Sequence, residues 1–148
     1  MPRRIGESPP PLRCQLRFLY HPLIVHFPIA LWLTSALFDA LYLRSGDRFY
    51  ERASRLLIGL GLLGAVASSI LGFVDFRPLV AEGIGQAFVD KHRVHSVLAY
   101  GATLIYLVSF LMRRRPTLSR ATITVLMVLG AGLIAATGYI GSDVRGVM

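Results

Sequence analysis

LLIGLGLLGAVASSILGFV, residues 56–74, carries no Asp, Glu, Lys or Arg at any of its 19 positions. At about 1.5 Å of rise per residue a helix of that length nearly crosses a hydrocarbon core of about 30 Å. One such run is compatible with a buried helix in a soluble domain. Working outward along the chain, three more appear: Phe18–Phe38 with 21 residues, Val94–Met112 with 19 and Ala121–Ser142 with 22. A soluble domain of 148 residues cannot bury four of them, because most residues of so small a domain must touch water. The reading is an all-α integral membrane four-helix bundle, up-down-up-down with short loops. Its 16% of charged residues, against about 25% in a soluble domain, is then what lipid demands.

The spans are expected at about 22–42, 56–74, 95–112 and 118–140, within a membrane domain covering 18–143. A polar Pro/Arg-rich leader (1–17) precedes it and a short tail (144–148) follows. Pro22 suits a first helical turn, whereas Pro28 is expected to kink span 1 or break its first turns. RSGDRFYERASR (44–55) reads as a short hinge. DFRPLVAEGIGQAFVDKHR (75–93) reads as a longer connection near the interface, interrupted by Pro78, Gly83 and Gly85. Gly61, Ala65 and Ser69 recur every four residues and favour close helix packing. No repeat of notable length is legible, although spans 1–2 and 3–4 can form two hairpins.

The net charge of +8 would point to nucleic acid in a soluble protein. Here the basic residues sit at helix ends and in short loops, where anionic lipid explains them; no nucleic-acid partner is expected. Cys14 is alone, so neither an intrachain disulfide nor a CxxC pair is available. A cleavable signal peptide is not expected either. Both termini and the 75–93 connection share one side. The 44–55 and 113–120 hinges share the other. Arg113, Arg114 and Arg115 abut span 3 directly, which favours the hinge side in the cytoplasm and the termini outside.

Polar chemistry collects at one level. His21 and His26 stand at the mouth of span 1 and His92 and His95 at the mouth of span 3, with Asp75 closing span 2 and Asp143 following span 4. Histidines at this depth need partners, since an unpaired polar group in hydrocarbon costs several kcal/mol. His26 and His95, the deeper pair, are candidate axial ligands of a b-type haem, a known way for a helical bundle to hold an electron carrier. Three or four of His21, His26, His92 and His95, with Asp75, are a candidate divalent-metal set, centred on His26 and His95. The third reading is a histidine–aspartate network that pins the helix mouths together. Asp75 and Asp143 are candidate supports for a ligating imidazole, and Asp75 is otherwise an end-of-span charge beside Arg77. Asp39 is expected to pair with Arg44 or Arg55, or to serve a proton relay. Trp32, in mid-span, is expected to pack on a helix or a cofactor. The glycines of GYIGSD (138–143) open the backbone of span 4 towards the same level. No nucleophile–base arrangement, HExxH or phosphate-cradling loop is present.

HPLIVHFPIAL (21–31), Asp75, the segment from His92 to His95 and GYIG (138–141) together resemble the DUF2231 family of small four-span bacterial membrane proteins. The resemblance covers about residues 20–143. Ser142 follows where the family's last motif carries a further glycine. The resemblance implies the bundle fold and the bacterial inner membrane, and members look like small membrane cytochromes or accessory subunits of redox complexes. The expected function is therefore an electron carrier or accessory subunit in preference to a stand-alone enzyme. Haem b is the expected cofactor, and the expected partners are the lipid bilayer with redox-complex subunits or further copies of the chain.

Overall fold

The structure, a computed structural model, describes residues 20–81, 83, 85–115 and 118–145. The 1–17 leader with Cys14, and residues 146–148 of the tail, lie outside the described residues. Four helices follow one another: α1 Tyr20–Ser45, α2 Arg48–Ala81, α3 Gln86–Met112 and α4 Arg120–Arg145. Each contains a stretch long and apolar enough to cross a membrane. Residues such as Leu23, Leu63 and Val97 stand well exposed on the outside, as they do where the surrounding solvent is hydrocarbon. The all-α membrane bundle is borne out.

The helices run further than the charge-free stretches do. The expected 44–55 hinge contracts to a two-residue turn. Gly46 adopts a left-handed φ of 75° and returns its N–H to the Tyr42 carbonyl at 2.8 Å, closing α1. Asp47 then accepts the Phe49 N–H on its carboxylate at 2.8 Å, capping α2. The expected 75–93 connection is also largely helical: α2 continues through Pro78 to Ala81, and α3 starts at Gln86. Only Gly83, with φ of 78°, marks the reversal among the described residues. Pro28 does not break α1, which is helical throughout; it packs on Gly64, where a Cβ would meet the Pro28 ring at 3.2 Å.

Each helix packs chiefly on its hairpin partner, α1 on α2 and α3 on α4, and the hairpins meet through α1 on α4 and α2 on α3. A repeat is present in the structure that is faint in the letters. In α1 the stripe facing the centre is His21, Pro28, Trp32, Ser35 and Asp39; in α3 it is His95, Ala102, Tyr106 and Ser109, continued by the capping residue Arg113, at the same spacings. In α2 the inward positions Ser54, Gly61, Ala65, Ser68 and Gly72 match Ile123, Gly130, Ile134, Thr137 and Gly141 of α4, again at the same spacings. Equivalent residues touch across the centre: Trp32 and Tyr106 stack with centroids 4.4 Å apart and planes 7° from parallel. The two hairpins are thus related by an approximate two-fold axis running along the bundle, between α1 and α3.

Candidate functional site

Two imidazoles occupy equivalent seats at one end of this axis. His21 of α1 lies over Gly72 of α2, where a Cβ would come within 3.1 Å of its ring, and its Nδ1 is 2.9 Å from the Ser68 carbonyl. His95 of α3 lies over Gly141 of α4, where a Cβ would again come within 3.1 Å of the ring, and its Nδ1 is 3.1 Å from the Thr137 carbonyl. In each case the glycine stands four residues after the carbonyl, so one turn of helix supplies both the gap and the acceptor. A carbonyl only accepts, so each Nδ1 carries a proton, and in the neutral ring the lone pair then belongs to Nε2. The seat chosen by the fold therefore fixes one tautomer in both rings.

His92 stands one turn before His95, with ring centroids 6.5 Å apart. It stacks on Phe76 of α2 at 4.0 Å and 7°, with Phe88 of its own helix 6.1 Å away. His21 lies within electrostatic reach of both His92 and His95, so three of the four histidines share one end of the bundle. His26 is the exception. Five residues beyond His21, it points about 140° around α1 from the inward stripe and is exposed. His26 and His95 are the expected pair; the positions that share a seat and a spacing in the two hairpins are His21 and His95. Among the described residues, no group of three or more His, Cys, Asp or Glu is arranged to hold a metal ion.

The expected carboxylate supports are replaced by backbone. The ring N–H groups of His21 and His95 go to Ser68 and Thr137, not to Asp75. Asp75 has a buried Oδ2 without a hydrogen-bond partner, and Arg77, its expected neighbour, lies over the Phe73 ring at 5.3 Å. Asp143 lies in α4 with its side chain outside the described residues. The GYIG segment stays helical, and Gly141 serves as the seat of His95. The small-residue face of α2 runs through Gly61, Gly64, Ala65, Ser68 and Gly72, rotated from the expected Gly61–Ala65–Ser69 row.

Further along the axis Trp32 donates its indole N–H to the Ile58 carbonyl at 3.3 Å. The Tyr106 hydroxyl, its counterpart's polar atom, is buried without a partner. At the far end Asp39 meets its structural equivalent, Arg113, in a two-pronged ion pair of 2.8 and 2.6 Å. The Arg113 and Asp39 side chains are 1% and 3% exposed, and Arg113 Nε also donates to Ser109 Oγ at 3.1 Å. Pairing of Asp39 with Arg44 or Arg55 is thereby corrected. The matching stripes 74 residues apart were the signal in the sequence that could have found this pair. It was hidden because the matched letters differ: Asp for Arg, Trp for Tyr, Pro for Ala.

The sequence profile of the family described as "Predicted membrane protein (DUF2231)" matches residues 19–145, and the chain belongs to that family. No curated protein and no solved structure matches it.

Proposed function

We propose that this DUF2231 membrane protein is a b-type haem-binding electron-transfer component, with the iron held by Nε2 of His21 and Nε2 of His95. One observation carries the reading. Two imidazoles at equivalent points beside a two-fold axis each give Nδ1–H to a backbone carbonyl, the arrangement that orients a ligating histidine and raises its basicity. Haem so held would supply one-electron transfer, its potential set by the two ligating imidazoles and the low surrounding dielectric. The chain's own part is to hold both rings in one tautomer, through Ser68 and Thr137, and to keep room for them at Gly72 and Gly141. Phe76 and Phe88 flank His92 on the same end and limit access of water to that side. The bundle would sit in a bacterial inner membrane with this end facing outward.

The second reading is a non-catalytic subunit of a larger membrane redox assembly. It draws on the same bonds, since each imidazole also closes its own hairpin, α1 to α2 and α3 to α4. Absorbance of the protein purified in mild detergent separates the two. A Soret band with sharp α and β bands on reduction is expected for bound haem. His21→Ala and His95→Ala should each abolish it, and His26→Ala should leave it in place, with helicity by circular dichroism confirming that each variant is folded. A folded, colourless wild-type protein discards the haem reading and leaves the subunit one.

A further inference from the structure

At the arginine end, the seam between α2 and α3 carries a feature that the fold does not require. Phe110 of α3 is seated on Gly59 of α2, where a Cβ would meet the ring at 3.1 Å. Two guanidinium groups lie over that one ring: Arg55 of α2, with Cζ 5.8 Å from the centroid, and Arg114, just beyond α3, at 5.3 Å. Neither belongs to an ion pair among the described residues. Arg113, next in the chain, has already taken Asp39. Two like charges are therefore gathered on a shared aromatic platform with no carboxylate at ion-pair distance among the described residues, an arrangement that suits an anion.

The approximate two-fold supplies an internal control. The equivalent seam, between α4 and α1, has Thr124 for Arg55, Val128 for Gly59, Ala36 for Phe110 and Ala40 for Arg114. That seam closes without a ring or a charge at any of the four positions. Arg120, which stands near it, gives a guanidinium N–H to the Leu43 carbonyl at 3.3 Å. Packing alone thus does not explain the Arg55–Phe110–Arg114 group. Leu56 and Leu60 follow Arg55 along α2 and Leu107 and Leu111 precede Arg114 along α3, and all four are exposed. An anion bound at the group would have apolar surface directly below it.

We propose that Arg55, Arg114 and Phe110 form a binding site for the phosphodiester headgroup of an anionic phospholipid, whose acyl chains lie along the exposed leucines of α2 and α3. Arginine is suited to this role because its planar fork presents several N–H donors to phosphate oxygens. Guanidinium groups already stacked on a ring lose less freedom on binding than free ones.

The test uses the intact chain in mild non-ionic detergent, titrated with phosphatidylglycerol or phosphatidylcholine and read by native mass spectrometry. Wild type should retain phosphatidylglycerol in preference to phosphatidylcholine. Arg55→Gln with Arg114→Gln should weaken retention on the order of tenfold or more, taking roughly 1 kcal/mol for each basic residue near a headgroup. Arg48→Gln with Arg52→Gln removes the same charge from the same end and should change it less than about threefold. Phe110→Leu, which leaves every charge in place, should weaken it several-fold, and it carries the test if the double variant fails to fold. Equal losses in the two arginine pairs would mean a diffuse field, and the site is then refuted. Release of the lipid by millimolar inorganic phosphate would also overturn it, since the site would then take a soluble anion.

Discussion

Asp39 illustrates what a single residue reveals only once its surroundings are known. A carboxylate in the last turns of a membrane helix invites pairing with the nearest arginines in sequence, yet its partner is Arg113, 74 residues away. Nothing local to either residue announces the pair. Removing one partner leaves an uncompensated charge where side-chain exposure is at most 3%. Asp39→Asn should therefore destabilise the bundle by about 3–5 kcal/mol. The exchange Asp39→Arg with Arg113→Asp should recover part of that loss, because it restores opposite charges in the same place. Thermal unfolding in detergent, followed by circular dichroism, measures both. Equal stability of the Asn variant and wild type would show that the pair contributes nothing. The histidines were more legible. Their gathering at one end follows from counting spans, whereas the equivalence of His21, not His26, with His95 depends on helix phase, which the prolines of HPLIVHFP obscured.

At the scale of the element, the four helices were legible because lack of charge over some 20 residues is a property of the letters alone. Their ends were not. Loops were expected wherever charge returned, but α2 carries Arg52 and Arg55 near its start and Arg77 near its end without interruption. Charged side chains at the membrane surface are compatible with helix, so the end of an apolar run is not the end of an element. The glycines divide into two kinds that sequence does not distinguish. A Cβ on Gly61 would lie 2.2 Å from Trp32 Nε1, whereas one on Gly132 would meet nothing within 4 Å. Gly61→Ala must displace the Trp32 ring from both the Ile58 carbonyl and Tyr106, at a cost of about 1–3 kcal/mol. Gly132→Ala should be neutral or slightly stabilising, as alanine is the better helix former. Side-by-side unfolding of the two variants checks the contrast, and similar costs would contradict the glycine assignments.

For the whole molecule, the distribution of free charge bears on orientation. Arg113 is neutralised by Asp39, but Arg44, Arg48, Arg52, Arg114 and Arg115 remain at the hinge end within or beside short turns. Short basic turns are retained in the cytoplasm, so the α1–α2 and α3–α4 turns are expected inside and the α2–α3 turn outside. With Cys14 replaced by Ser, a cysteine at Asp47 should react with an impermeant thiol reagent only after the membrane is opened. One at Gly83 should react in intact cells. The reverse pattern would invert the bundle, turning the histidine end inward. The fold class was legible at this scale, while the two-fold was not, because the matched positions preserve spacing more than residue identity.

That two-fold has one further consequence, which lies at its least symmetric point. A hairpin meeting its own copy brings like against like on the axis. Histidine facing histidine, serine facing serine and one flat ring on another are all tolerable in such a pairing. An acid facing an acid, or a guanidinium facing a guanidinium, is not. The Asp39–Arg113 contact is therefore available only to two halves that differ, as they can when both are written into one polypeptide. By joining its hairpins covalently, the chain gains unlike residues at equivalent places, and with them a lock that pairs each half with the other rather than with itself.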